Sequence, residues 1–229
     1  MGSRQAEVTG HLALLDRSAP GLVVAVHVVG SATLDDLAPG SDLDLVVELS
    51  RTPTETDLAA LSAALTPELD VAYLVDGEPG PWARDGELHA DPPAQLTPVL
   101  RHQLNLYSRT LRGARPHFPV TAAEVADYCR TNLREYWQPL LDHAAAATGP
   151  VFRDGVLWLG LGPARLWHTI RTGEIVGKSR AGELAAAHWT DLAGPVREIV
   201  AARHDPNAQL AEGHRRAVVE LGRRVLAAS

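Results

Sequence analysis

"GSATLDDLAPGSDLDLVVEL", Gly30 to Leu49, is the stretch that decides how this chain is read. Its second half, "SDLDLVVEL", is an aliphatic, β-branched run that predicts a strand, and Asp42 and Asp44 stand one residue apart within it. Side chains alternate across a strand, so the two carboxylates are expected on one face and Leu43 and Leu45 on the other. Like charges that close raise each other's pKa unless a cation lies between them. Just upstream, "GLVVAVHVVGS" (Gly21 to Ser31) reads as a strand that ends at Gly30-Ser31.

Two readings of the aspartates stand side by side. An Asp following Ser41 can close a turn at a strand start. Alternatively, hard oxygen ligands at this spacing suit Mg²⁺, which takes one or two protein carboxylates and completes its shell with water and phosphate oxygens. The context favours the second. A glycine at a strand end lets the backbone approach a phosphate, and the Ser31 hydroxyl can hydrogen-bond it.

Outward from this stretch, "ELDVAYLVD" (Glu68 to Asp76) reads as a third strand. "TPTETDLAALSAALTPE" has Leu58, Leu61 and Leu65 on one helical face, and "AEVTGHLALLDR" predicts a helix ahead of the first strand. The pattern is helix, strand, strand, helix, strand, a compact α+β layer. From about Pro92 helical patterns take over, in "PAQLTPVLRHQLNLYSRTLRG", "TAAEVADYCRTNLREYWQPLLDHAAAATG", "DGVLWLGLGPARLWHTIRTG", "GKSRAGELAAAHW" and "NAQLAEGHRRAVVELGRRVLAAS". The expected fold is therefore α+β, an N-terminal domain over residues 1–118 and a C-terminal α-helical bundle over 119–229, joined through "GARPHFPVT".

Composition removes several function classes. The chain has 229 residues, 45% of them hydrophobic, with 21 Lys and Arg against 28 Asp and Glu and a net charge of −7. That balance opposes a nucleic-acid partner, whose affinity comes from a basic field. No apolar run approaches a membrane span. The start "MGSRQAEVTG" has no apolar leader and Cys129 is the only cysteine, which together predict a cytoplasmic protein. No Gly-x-x-x-x-Gly-Lys-Ser/Thr loop, Gly-x-Ser-x-Gly elbow or histidine pair at metal-ligand spacing is present. Lys178 is the single lysine among arginines, a compact point charge suited to a triphosphate.

Gly-Ser, a ten-residue gap and Asp-x-Asp on an apolar strand resemble the signature of the nucleotidyltransferase superfamily that includes DNA polymerase β. The chain further resembles the streptomycin/spectinomycin adenylyltransferases, which join a nucleotidyltransferase domain to a helical domain. The resemblance implies that Asp42 and Asp44 bind two Mg²⁺ ions on ATP, and that Asp70, where the family has a glutamate, completes the metal site or acts as general base. It implies triphosphate contacts from Gly30 and Ser31, and from Arg165 and Lys178 in "ARLWHTIRTGEIVGKSRAGELAAAHW". Pro81-Trp82 matches a family Pro-Trp, and Trp82, Trp137 and Asp154 are expected acceptor contacts, with Tyr136 beside them. Glu78 and Glu87 are expected in a solvated loop, and Trp158, Trp167 and Trp189 in the core. The expected reaction moves AMP from ATP to a hydroxyl of a small, cationic acceptor of the aminoglycoside type. Transfer to a protein and a non-catalytic nucleotide binder are the alternatives.

Overall fold

The computed structural model describes residues 2–91 and 93–229; Pro92, where the sequence pattern changes, lies outside the described residues. Helix α1 (Gly2–Ser18) leads into β1 (Val23–Val28), a single turn of 3₁₀ helix at Gly30–Thr33, and β2 (Leu43–Leu49). Helix α2 (Glu55–Ala63) then carries the chain to β3 (Leu69–Val75). This crossover makes β2 and β3 parallel, pairing Leu43 with Leu69 through Leu49 with Val75. Thr54 starts α2 with a capping box: its hydroxyl accepts the Asp57 N–H, and the Asp57 carboxylate accepts the Thr54 N–H at 2.8 Å.

The sheet has six strands among the described residues, not the three that the sequence predicts. After β3 the chain folds back as β4 (Glu78–Arg84) and β5 (Glu87–His89), and after α3 (Pro98–Tyr107) it adds β6 (Arg109–Arg112). The order is β5-β4-β3-β2-β1-β6, antiparallel everywhere except β2–β3. Asp76-Gly77 and Asp85-Gly86 make the two hairpin turns, each with both residues at positive φ. Tight hairpins select Asp-Gly for that reason. Pro79 and Pro81 lie in the half of β4 that β5, pairing only with Trp82 to Arg84, does not reach. A proline there costs no ladder bond on that side.

Alternation sorts the sheet's two faces. Leu43, Leu45, Val47 and Leu49 of β2 and Leu69, Val71 and Tyr73 of β3 pack with Leu15 of α1 and Leu61 of α2. The opposite face carries Val46 and Leu74 against Leu104 of α3. Asp44 and Asp70 belong to this second face by the same alternation.

The remaining chain is helical: α4 (Ala122–Asn132), α5 (Gln138–Ala146), α6 (Arg153–Thr172), α7 (Lys178–His188), α8 (Ala193–His204) and α9 (Glu212–Ala227). Helix α8 is an addition to the sequence reading, and the single helix expected around residue 133 is divided by a π-helical turn at Leu133–Trp137. The turn ends two residues before Pro139, which has no N–H to give to a regular helix. Gly162 of α6 lets α6 close on Trp137, because a Cβ there would stand 2.2 Å from the indole.

Contacts divide the chain into two compact units. One comprises residues up to Thr33 and Gly40–Phe118, and the other comprises Leu34–Pro39 and Pro119–Ser229. The short insert belongs to the helical unit through buried Asp36, whose carboxylate accepts the Ser179 N–H at 3.2 Å and pairs with Arg203 at 3.3 Å. Arg203 also donates to the Asp36 carbonyl at 2.7 Å. Among the described residues no helix is long and apolar enough to cross a membrane.

Candidate active site

Gly30 opens the 3₁₀ turn with φ +67°, in the left-handed region that favours glycine. A Cβ here would lie 1.8 Å from Asp44 Oδ2, so only glycine lets the Asp44 carboxylate rest against this turn. The Val29 N–H donates to the Asp44 carbonyl at 3.0 Å, and the Thr33 hydroxyl donates to the Gly30 carbonyl at 3.1 Å. Turn and strand are thus tied together, with Ser31 half-buried beside them.

Asp44 and Asp70 are direct partners in the parallel β2–β3 ladder, which brings their side chains together on one face. Asp42 differs from the sequence expectation: the strand starts at Leu43, and Asp42 is an exposed residue just ahead of it. Its charge is nevertheless felt at Asp70. Burial lifts the Asp70 carboxyl above its ordinary value; Arg84 opposes that rise, and Asp42 and Asp85 add to it. Arg84 Nε donates to Asp70 Oδ2 at 2.9 Å.

A cavity of about 420 Å³ opens on this pair within the sheet unit. Asp44, Asp70, Trp82, Arg84 and Gln95 supply its polar wall, and Val46, Ala72 and Leu100 are part of its apolar wall. Cavities of this size hold drug-sized molecules. Trp82 stacks on His89 with centroids 4.1 Å apart, and Arg84 lies over the indole at 5.9 Å. Glu78 and Glu87 sit at the exposed starts of β4 and β5 rather than in a loop, and neither lines the cavity.

Among the described residues no three His, Cys, Asp or Glu side chains form a ready-made metal cluster. The donor chemistry nonetheless suits a hard cation that takes one or two carboxylates, since Asp44 and Asp70 are neighbours with Asp42 electrostatically close.

In the helical unit, Arg165 of α6 donates from Nε to the Val176 carbonyl at 3.1 Å, and Lys178 is the first residue of α7 after the Gly177 cap. Arg165 is thereby fixed beside the segment that enters Lys178. Trp137 is only 7% exposed and belongs to the helical core. Trp158, expected in the core, is instead among the exposed aromatics, with Tyr136 edge-on to it at 5.7 Å. Asp154 is exposed and paired with Arg153 at 2.7 Å. Trp167 is buried as expected. Sequence reading passes over Arg84, His89 and Gln95. The signal that could have found Arg84 is its place two residues after Trp82, on the same face of a strand.

Residues 12–76 match the family model of the nucleotidyltransferase domain. A search of curated proteins finds no match. Among solved structures the chain is similar to spectinomycin adenyltransferase AAD(9) from Enterococcus faecialis, determined with ATP and spectinomycin. The TM-score is 0.70 at 14% identity, covering 96% of this chain and 98% of that one. The resemblance carried by Gly30 to Leu49 holds at the level of domain and fold: residues 12–76 match the nucleotidyltransferase domain, and over nearly its whole length the chain is similar in fold to that solved structure.

Proposed function

We propose that the protein is a Mg²⁺-dependent adenylyltransferase that moves AMP from ATP to a hydroxyl of a small acceptor, of the aminoglycoside or aminocyclitol type. The observation that carries this reading is the in-register pair Asp44 and Asp70 in the lining of one cavity, with Gly30 pressed against the first and Arg84 bonded to the second. ATP as co-substrate agrees with a cytoplasmic protein, and a small acceptor agrees with the net charge of −7, which repels nucleic acid.

Asp42 and Asp44, with Asp70, would hold Mg²⁺, which neutralises phosphate charge and orients phosphate oxygens when bound. Gly30 and Ser31 hold the triphosphate through a backbone N–H and a hydroxyl. Arg165 and Lys178 are the cations of the helical unit that the family resemblance assigns to phosphate contact. Asp70 accepts the proton of the acceptor hydroxyl through Oδ1, since Oδ2 is engaged by Arg84. The acceptor oxygen bonds to the α-phosphorus as the bond to the bridging oxygen breaks, and the electron pair leaves with pyrophosphate. Trp82 supplies the aromatic wall of the acceptor cavity.

The test is pyrophosphate release from Mg-ATP across aminoglycosides and spectinomycin, beside an Asp42→Asn/Asp44→Asn variant. Release that depends on one compound and vanishes in the variant is the expected result. Silence across the panel with Mg-ATP still bound would turn the reading to a protein acceptor, and failure to bind Mg-ATP would sink nucleotidyl transfer.

A further inference from the structure

Lys178 is the single lysine of the chain and the first residue of α7. The residues on both sides of it are held by one carboxylate, which comes from the 34–39 segment of the helical unit. After Lys178, the Ser179 N–H donates to the two Asp36 oxygens at 3.3 and 3.2 Å. Before it, Asp36 rests on Gly177: a Cβ at position 177 would stand 2.3 Å from the Asp36 Cβ and 2.7 Å from its Oδ2. Gly177 has φ −66°, open to any residue, so the close approach of Asp36 is what requires glycine here.

Helices α6 and α8 brace the same few residues. Arg165 of α6 donates from Nε to the Val176 carbonyl at 3.1 Å, two residues before Lys178. At the end of α8, Arg203 donates to the Asp36 carbonyl at 2.7 Å and pairs with its carboxylate at 3.3 Å, and His204 Nε2 lies 3.0 Å from the Ser179 hydroxyl. Asp36 and Arg203 are buried, so water does not compete for these bonds. A Ser, Thr or Asp at the cap position would be the simpler way to fix a helix start. This chain has Gly177 there and brings in a carboxylate 143 positions away from Ser179.

We propose that Asp36 is a positioning residue for Lys178: by clamping Gly177 and Ser179 it fixes the backbone from which the lysine reaches the triphosphate. This rests on the assignment of Lys178 to phosphate contact and deepens it. A lysine carries its charge on a long, flexible stem, and every further freedom that must be frozen on binding subtracts from affinity. A fixed Cα leaves only the stem to be ordered. Asp36 also follows Ser31 by five residues. The segment that leaves the Gly-Ser turn therefore ends in the clamp on Lys178.

Calorimetric titration of Mg-ATP into the full chain tests this in double-mutant cycles. Asp36→Ala/Arg203→Met removes the clamp without stranding the Arg203 charge, and Gly177→Ala displaces Asp36 with every charge kept. Each is measured with and without Lys178→Ala, after circular dichroism has confirmed the fold. Either change should weaken Mg-ATP binding roughly three- to tenfold, and should add nothing once Lys178 is replaced. Should the paired variant fail to fold, Gly177→Ala decides alone. Acylation by an N-hydroxysuccinimide ester, read on the Lys178 peptide by mass spectrometry, follows the same contact through the chain's one lysine. Saturating Mg-ATP should protect Lys178 in the wild type and protect it less when the clamp is broken. Equal weakening with and without Lys178 would overturn the proposal and leave Asp36 as a support of the helical fold alone. Unchanged affinity in the clamp variants would overturn it as well. Lys178→Ala binding Mg-ATP as the wild type does would instead remove the phosphate assignment, and the proposal with it. Failure of the wild type to bind Mg-ATP would remove nucleotidyl transfer altogether.

Discussion

Gly30 and Asp44 limit each other: the carboxylate occupies the space a side chain at position 30 would need, and the turn's positive φ admits few residues but glycine. Gly30→Ala should cost about 1–2 kcal/mol from the left-handed backbone alone, and it should lower kcat/KM further by moving the Asp44 carboxylate. Urea midpoints and steady-state rates measured together separate the two losses. Asp70→Asn keeps the size of the side chain but removes the proton acceptor, so kcat should fall roughly 10²–10⁴-fold with the fold unchanged by circular dichroism. A third residue governs how stability depends on pH. His27 is fully buried, with Nδ1 3.1 Å from the Thr110 hydroxyl and Nε2 3.2 Å from Glu48, and burial, opposed by Glu48, holds it below its ordinary 6.5. His11, buried against the Ala64 carbonyl, is held low in the same way. Below about pH 6.5 the unfolded chain takes up protons at these histidines that the folded chain refuses, so stability is full above that pH and falls as the medium acidifies. The urea midpoint should drop between pH 7.5 and pH 5.5, and His27→Gln should flatten that slope.

Elements explain which parts of the molecule could be read in advance. Strands β1 to β3 are legible because aliphatic runs with β-branched residues and a period of two leave few alternatives, and Asp44 and Asp70 are legible because carboxylates interrupt those runs. "EPGPWAR" reads as a loop for its prolines and glycine, yet it is β4, held in the sheet by an Asp-Gly turn at each end. The dipeptides were the signal, and composition hid it. Strand β6 is only four residues long and lies just after α3, where the helical pattern before it dominates. Arg84 and Gln95 escaped for the same reason, since their importance depends on β4 being a strand beside β3. The packing of α6 offers a test within one element. Gly162→Ala would put a methyl 2.2 Å from the buried Trp137 ring, while Gly155 has nothing within 4 Å of its Cβ position. Gly162→Ala should therefore destabilise by about 1–3 kcal/mol. Gly155→Ala should stabilise by up to about 1 kcal/mol from helix propensity. Denaturant midpoints of opposite sign are the expected outcome, and equal shifts would mean that α6 does not close on Trp137.

At the scale of the whole molecule, a boundary after Phe118 does not cleanly separate the two units, because Leu34–Pro39 belongs with the helices. The sequence shows why this segment escapes notice: "LDDLAP" looks like an ordinary connection between a glycine turn and a strand. Its Asp36 nevertheless satisfies the first turn of α7 and neutralises Arg203, whose side chain is 10% exposed. Helix N-termini favour a carboxylate through their unpaired N–H groups, and a buried charge whose partner is removed typically costs about 3–5 kcal/mol. Asp36→Ala in the full chain should therefore destabilise the helical unit by roughly that amount. A fragment of residues 119–229, which lacks Asp36, should melt well below the full chain. Since about 1 kcal/mol corresponds to roughly 4–8 °C in a unit of this size, the deficit should exceed ten degrees or so by circular dichroism at 222 nm. Arg203→Met in the same fragment removes the stranded charge and should recover part of the loss. A fragment as stable as the full chain would show that residues 34–39 merely pass over the helices, and that α7 needs no carboxylate at its first turn.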